Sequence, residues 1–201
     1  MRIHPAFLAP FALLIPTQAS SHFQLMEPVP TLILDDRGNP QKPEPCGGTT
    51  HGSTPATAVV TPVRGGTQLH IKVKETVYHP GHYRIALAAD PTGLPEDPET
   101  VTRSTEKGPY SVSAKIDKSP KAPVLADGLF VHSERFPSGH IWETDVRIPN
   151  IDCENCTLQV IQWMAEHGFN AEGGYTYHHC AELKISADPK LPRDQGWAGK
   201  K

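Results

Sequence analysis

His22 follows a segment, residues 1–21, that reads as an export leader. Arg2 supplies positive charge, Ala6 to Pro16 forms a short apolar run, and Ala19-Ser20-Ser21 places small residues before a cut. Removal of that segment makes His22 the first residue. A chain-starting histidine presents its α-amino nitrogen and its Nδ1 together, and the two close a six-membered chelate ring on one metal ion; an internal histidine cannot do this. An α-amino group ionises at roughly 7.7–8.0, against about 10.4 for lysine, so deprotonating it for a metal near neutral pH costs comparatively little. One further imidazole completes a T-shaped set of three nitrogens. Such a planar, nitrogen-rich set suits Cu(II), which stands at the top of the divalent affinity order. A single mononuclear copper ion is the metal implied.

The third nitrogen is narrowed by context. His79 stands in Val77-Tyr78-His79-Pro80-Gly81-His82-Tyr83, a tight turn just before a strand, and His82 is its direct competitor. A conventional zinc site on His79 and His82 needs two more ligands, and no further His or Cys lies nearby at a matching spacing. Export to an oxidising compartment makes the four cysteines a disulfide set, with three pairings open. Cys153 and Cys156 form a C-x-x-C without a second one to complete a zinc site, so a local disulfide is the simpler reading. Cys46 is then left to join Cys180, tying an early loop to the last strand.

The elements that position these groups are strands. In Thr67 to Lys74, Leu69, Ile71 and Val73 alternate with polar residues, the period of two that a half-buried sheet needs. Ala58 to Val63 reads as its hairpin partner across Gly65-Gly66. Tyr83, Ile85 and Leu87 repeat the alternation, and Trp142 to Ile148, Cys156 to Met164 and Tyr177 to Ile185 read as later strands. About seven strands at this spacing predict an all-β, antiparallel sandwich of the immunoglobulin or fibronectin III kind with long irregular loops. Residues 91–140, with seven prolines and four glycines, read as an elaborated surface loop region that shapes a binding face. The expected organisation is a leader over 1–21, one copper-binding domain over 22–187, and a disordered tail over 188–201.

Composition excludes several functions. With 21 Pro and 16 Gly in 201 residues, short strands and turns are favoured over long helices. A formal charge of −3 supplies no positive field to hold nucleic acid or an anionic membrane. No run of 18 apolar residues exists, so no membrane span is expected. The chain reads as a monomer, secreted or periplasmic.

A resemblance joins these features. His22 after a leader, the stretch His79-Pro80-Gly81-His82-Tyr83-Arg84-Ile85-Ala86-Leu87, then Asn155-Cys156-Thr157-Leu158-Gln159, and finally Tyr177-His178-His179-Cys180-Ala181-Glu182-Leu183 resemble, in this order, the lytic polysaccharide monooxygenases. The likeness runs from His22 to about Ile185. It is nearest to a bacterial polysaccharide monooxygenase-like group, which shares Val124 to His132 and Gln162 to Gly168. The resemblance implies an immunoglobulin-like sandwich and a copper ion held by a histidine brace of His22 and His79. Tyr177 would occupy the axial position, and His167 would be the outer-sphere histidine that faces reduced oxygen and donates a hydrogen bond or proton. The implied activity is oxidative cleavage of glycosidic bonds in chitin, cellulose or another glucan, with an external electron donor and O2 or H2O2. The chain departs from the family at Tyr175, where fungal members place glutamine, and at Phe23, where many active members have a small residue. Two other functions fit the same residues in part: copper capture or delivery without turnover, which needs the same ligands, and a carbohydrate-binding or structural sandwich, in which His22 is dispensable.

Overall fold

The computed structural model describes residues 22–48, 54–168 and 174–197; the proposed leader, 1–21, lies outside them. Eleven strands make up the fold: β1 (His22–Glu27), β2 (Val60–Arg64), β3 (Gln68–Val77), β4 (Gly81–Ala88), β5 (Thr100–Thr105), β6 (Gly108–Ala114), β7 (Val124–His132), β8 (His140–Arg147), β9 (Cys153–Met164), β10 (His167–Gly168) and β11 (Thr176–Ser186). A three-stranded sheet ordered β1-β3-β8 faces a five-stranded sheet ordered β2-β11-β9-β4-β7. The result is the all-β, immunoglobulin-like sandwich expected from the alternation.

The core forms where the two apolar faces meet. Phe23 and Leu25 of β1, Ile71 and Val73 of β3 and Val146 of β8 pack against Tyr83, Ile85 and Leu87 of β4, Leu158 and Val160 of β9, and Tyr177, Ala181, Leu183 and Ile185 of β11. Burial of such side chains is worth roughly 1.5–3 kcal/mol each and is the main force that closes the sandwich.

Four expectations need correction. The β2 segment does not pair with β3 as a hairpin; it runs parallel to β11, with Val60 opposite Glu182 and Val63 opposite Ile185. The five-stranded sheet is therefore mixed, not wholly antiparallel. Residues 91–140 are not a single loop region: they contain β5, β6 and β7, and β5 and β6 join β10 in a third, smaller sheet. That sheet covers the outer face of the five-stranded one, where Ala114, Trp163, Ala165 and Tyr175 form a second cluster. Its strands are polar because they act as a lid, so they carry no sustained apolar alternation. Covered on both sides, β9 is buried without a break from Cys156 to Met164, the pattern of a doubly buried strand.

The fourth correction concerns the C-terminal segment, which packs as far as Trp197. That indole lies against the main core. Asn150, fully buried, holds the segment by donating from Nδ2 toward the carbonyls of Asp188, Leu191 and Pro192 at 3.0–3.1 Å and accepting from Asp188 N–H at 2.7 Å. Arg64 and Arg147 add ion pairs to Asp188 and Asp194. Hydrogen bonds fasten what apolar content does not.

Replacing Asn150 with alanine leaves several of these groups without partners. At roughly 1–3 kcal/mol for an unsatisfied buried group, we expect a loss of about 2–4 kcal/mol in urea unfolding, whereas exposed Lys190→Ala stays within about 0.5 kcal/mol.

Candidate metal centre

His22 begins β1 at the end of the sandwich where β3 stops and β4 starts. It lies opposite Val77, and a register shift separates it from Phe23, which lies opposite Glu75. Strict alternation would send successive side chains to opposite faces; the irregularity lets His22 and Phe23 both be buried. Phe23 anchors the strand, its ring edge-on to Tyr83 and His179 at centroid separations of 5.4 and 4.5 Å. The Phe23 N–H donates to Oε1 of buried Gln41 at 3.2 Å, and its carbonyl accepts from His179 Nε2 at 3.0 Å. Gly38 makes this close approach tenable: a Cβ there would fall 1.8 Å from the Phe23 carbonyl oxygen, and its φ of +96° suits glycine alone.

His79 lies two residues beyond Val77, in the turn between β3 and β4. Its Nδ1 faces the Pro80 carbonyl at 3.0 Å. A carbonyl only accepts, so Nδ1 carries the proton and Nε2 keeps its lone pair. Burial pushes the ring below its ordinary pKa, against the pull of the Pro80 carbonyl and Glu75, which favours a neutral imidazole whose Nε2 could serve as a metal donor. Gly81 lets the turn tuck in, because a Cβ there would lie 2.0 Å from the Trp163 carbonyl oxygen.

A buried ion pair holds the His79 backbone. Glu75 is 3% exposed; it accepts from the His79 N–H at 2.9 Å and from Trp142 Nε1 at 3.1 Å. His132 Nε2 lies 2.7 Å from the His79 carbonyl and 3.3 Å from Glu75, while its Nδ1 lies 2.7 Å from the Phe130 carbonyl. Both nitrogens face acceptors, an arrangement that favours the protonated ring, with both nitrogens donating. Burial opposes that charge, but the bonds to Glu75 and the two carbonyls outweigh it and raise the pKa.

Tyr177 and His22 are in ring contact at 5.4 Å. Burial pushes the phenol up to about 12, so it stays protonated. Its ladder partner on β9 is Gln162, fully buried, whose side chain shares its face of the sheet. Over the Tyr177 ring, 3.8 Å from its centroid, sits Lys42 Nζ. His167 stacks flat on His79 at 4.3 Å, and burial, with His79 and Lys42 adding to it, pushes its pKa down to about 4. The ring is therefore neutral over the physiological range, which leaves it able to donate a hydrogen bond but a poor reservoir for a proton.

The structure thus gathers His22, Tyr177, His79 and His167 at one end of the sandwich. It separates His82 from them. That ring stacks on Trp163 at 5.7 Å and accepts from the Ala114 N–H at 3.3 Å, in the second cluster. Tyr175 also belongs to that cluster. His178 points to the outer face, where its Nε2 lies 2.8 Å from Asp97. Among the described residues, the group of three metal-type donors within 4.8 Å of one another is Glu44, Asp97 and His178; Arg84 and Lys42 both act on Asp97 or its neighbours, so positive charge already balances it. Both disulfides, Cys46–Cys180 and Cys153–Cys156, are formed as expected. Four residues of the site carry no sequence signal: Gln41, Lys42, Glu75 and His132 look like ordinary polar positions, and only the fold brings them to His22 and His79.

No protein-family model matches the chain, and no curated protein does. Among solved structures it is similar to a lytic polysaccharide monooxygenase AA15 from Thermobia domestica in the Cu(I) state, at 16% identity over 70% of this chain and 75% of that one, with a TM-score of 0.41.

His179 provides a pH test of how β1 is held. Burial pushes it down to about 4 despite the bond to the Phe23 carbonyl. The unfolded chain takes up the proton near 6.5 while the folded chain resists it, so the stability this neutral ring contributes is complete above about 6.5 and is lost as pH falls toward 4. The span corresponds to about 3 kcal/mol. His179→Gln keeps an N–H donor but does not titrate; we expect the unfolding free-energy gap between wild type and variant, measured in urea, to narrow by about 2–3 kcal/mol from pH 7 to pH 4. A pH-independent gap would contradict a neutral buried His179.

Proposed function

We propose that this chain is an extracytoplasmic copper protein whose processed N-terminus, with His79, forms a histidine brace, and that it oxidatively cleaves glycosidic bonds in a polysaccharide such as chitin, cellulose or another glucan. The observation that carries this reading is the tautomer of His79. With Nδ1 tied to the Pro80 carbonyl, its Nε2 is the donor left, at the same sheet end as His22 and Tyr177. Together with the α-amino nitrogen and Nδ1 of a chain-starting His22, it supplies three neutral nitrogen donors, the set that suits copper. The two disulfides support a location outside the cytoplasm, secreted or periplasmic.

Bound copper would supply one-electron redox chemistry with an external electron donor and O2 or H2O2. The protein's part is geometry. Gln41 and His179 fix the backbone immediately after His22, and Glu75 and His132 fix the backbone of His79. Tyr177, in ring contact with His22, would offer a protonated, weakly ligating phenol oxygen to the ion, and the neutral His167 ring, stacked on His79, would stand beside it without ligating.

Copper capture or delivery without turnover is the second reading, and one observation favours it. Among the described residues, the exposed large hydrophobics are all aliphatic, so no exposed aromatic platform grips a sugar chain.

The test compares the chain beginning at His22 with one carrying a single extra residue before it. Changes around metal ligands cost roughly 10–100-fold in affinity, so loss of the α-amino donor should weaken Cu(II) binding by more than that, read by titration with electron paramagnetic resonance. Incubation with reductant and chitin, cellulose or soluble glucans, followed by mass spectrometry, should give oxidised oligosaccharides from the processed form alone. Tight copper without oxidised products supports delivery; equal, weak binding by both forms eliminates the metal readings.

A further inference from the structure

Lys42 is a lysine held in place. Its neighbour Gln41 is locked through the side-chain bond to the Phe23 N–H and through its carbonyl, which accepts from the His178 N–H at 2.7 Å. Four residues on, Cys46 is bonded to Cys180 of β11. The ammonium donates to the Gly174 carbonyl and points toward that of Thr176 at 3.4 Å, which leaves it poised over the Tyr177 ring, 3.8 Å from the centroid. A mobile surface lysine would gain little from any of these contacts; here they fix a positive charge on the ring that touches His22. Asp97, the carboxylate that acts on Lys42 from the other side of β11, bonds His178.

We propose that Lys42 sets the reduction potential of the copper centre, its fixed ammonium over Tyr177 favouring the cuprous over the cupric ion. This rests on the copper reading above. A neighbouring positive charge repels a doubly charged ion more than a singly charged one; Lys42 is exposed to solvent, so the effect is largest at low ionic strength. Protein groups outside the ligand set tune a metal's potential in this way. The one-electron balance is simple: an external donor delivers one electron, Cu(II) becomes Cu(I), and Lys42 keeps its proton throughout.

The experiment uses the processed chain at pH 6, below the value of about 8 to which burial lowers Lys42, so the ammonium is charged. Lys42→Met keeps the length of the stem and removes the charge; Lys42→Arg keeps the charge. The midpoint of each is read from the Cu(II) resonance signal in a redox titration. We expect Lys42→Met to shift the Cu(I)/Cu(II) affinity ratio at least about tenfold toward Cu(II), a fall of roughly 59 mV, and Lys42→Arg to restore the wild-type value. Intact Cu(II) signals with equal midpoints in all three proteins would overturn the role of Lys42 alone. Arginine falling as far as methionine would do the same, because shape and not charge would then be at work. Absence of an N-terminal Cu(II) signal in all three would overturn the copper reading together with this one.

Discussion

The start of β1 is held one residue after His22, at Phe23, and the position of the His22 ring depends on that hold. β1 is an edge strand with β3 on one side. On its other side Gln41 bonds the Phe23 N–H and His179 bonds the Phe23 carbonyl, while the phenyl ring sits in the core. Two side chains thus replace the missing neighbouring strand and close an edge that would otherwise invite pairing. The bulky Phe23 is what permits this arrangement: a small residue would leave the strand without its apolar anchor.

The same end of the molecule carries an uncommon density of polar groups out of solvent. Glu75 and His132 form a charged pair under the His79 turn, and their value is positional, since both peptide groups of His79 are bonded by them. A buried ion pair is weak evidence for stability; directed at one backbone segment, it is better understood as a brace for orientation. On the opposite face of β11, Asp97 and the loop through Glu44 lie against His178, so consecutive residues of one strand serve different layers.

Much of the fold was legible because alternation is a local signal. β3 and β4 were visible in Leu69, Ile71 and Val73 and in Tyr83, Ile85 and Leu87. The partner of β2 was not, since a five-residue strand with half-exposed positions fits any open edge and β11 offered one in parallel. β5 and β6 were hidden because a covering sheet needs few apolar residues, and the C-terminal segment because its fastening lies in one asparagine's hydrogen bonds. In the site, His22 and His79 stood out by type and context, and Tyr177 and His167 only through the family resemblance. Lys42, Glu75 and His132 could not, since their roles exist only once distant strands meet.

The packing of Trp197 has one more consequence. That residue shares a hollow with Leu87, Ala88 and Pro123, where β4 ends, whereas His22 sits where β4 begins. The first described residue and the last are at opposite poles of the sandwich. Tethered to a carrier or a solid support through its C-terminal pole, the domain would stand with its histidine face outward, toward whatever surface lies across the gap.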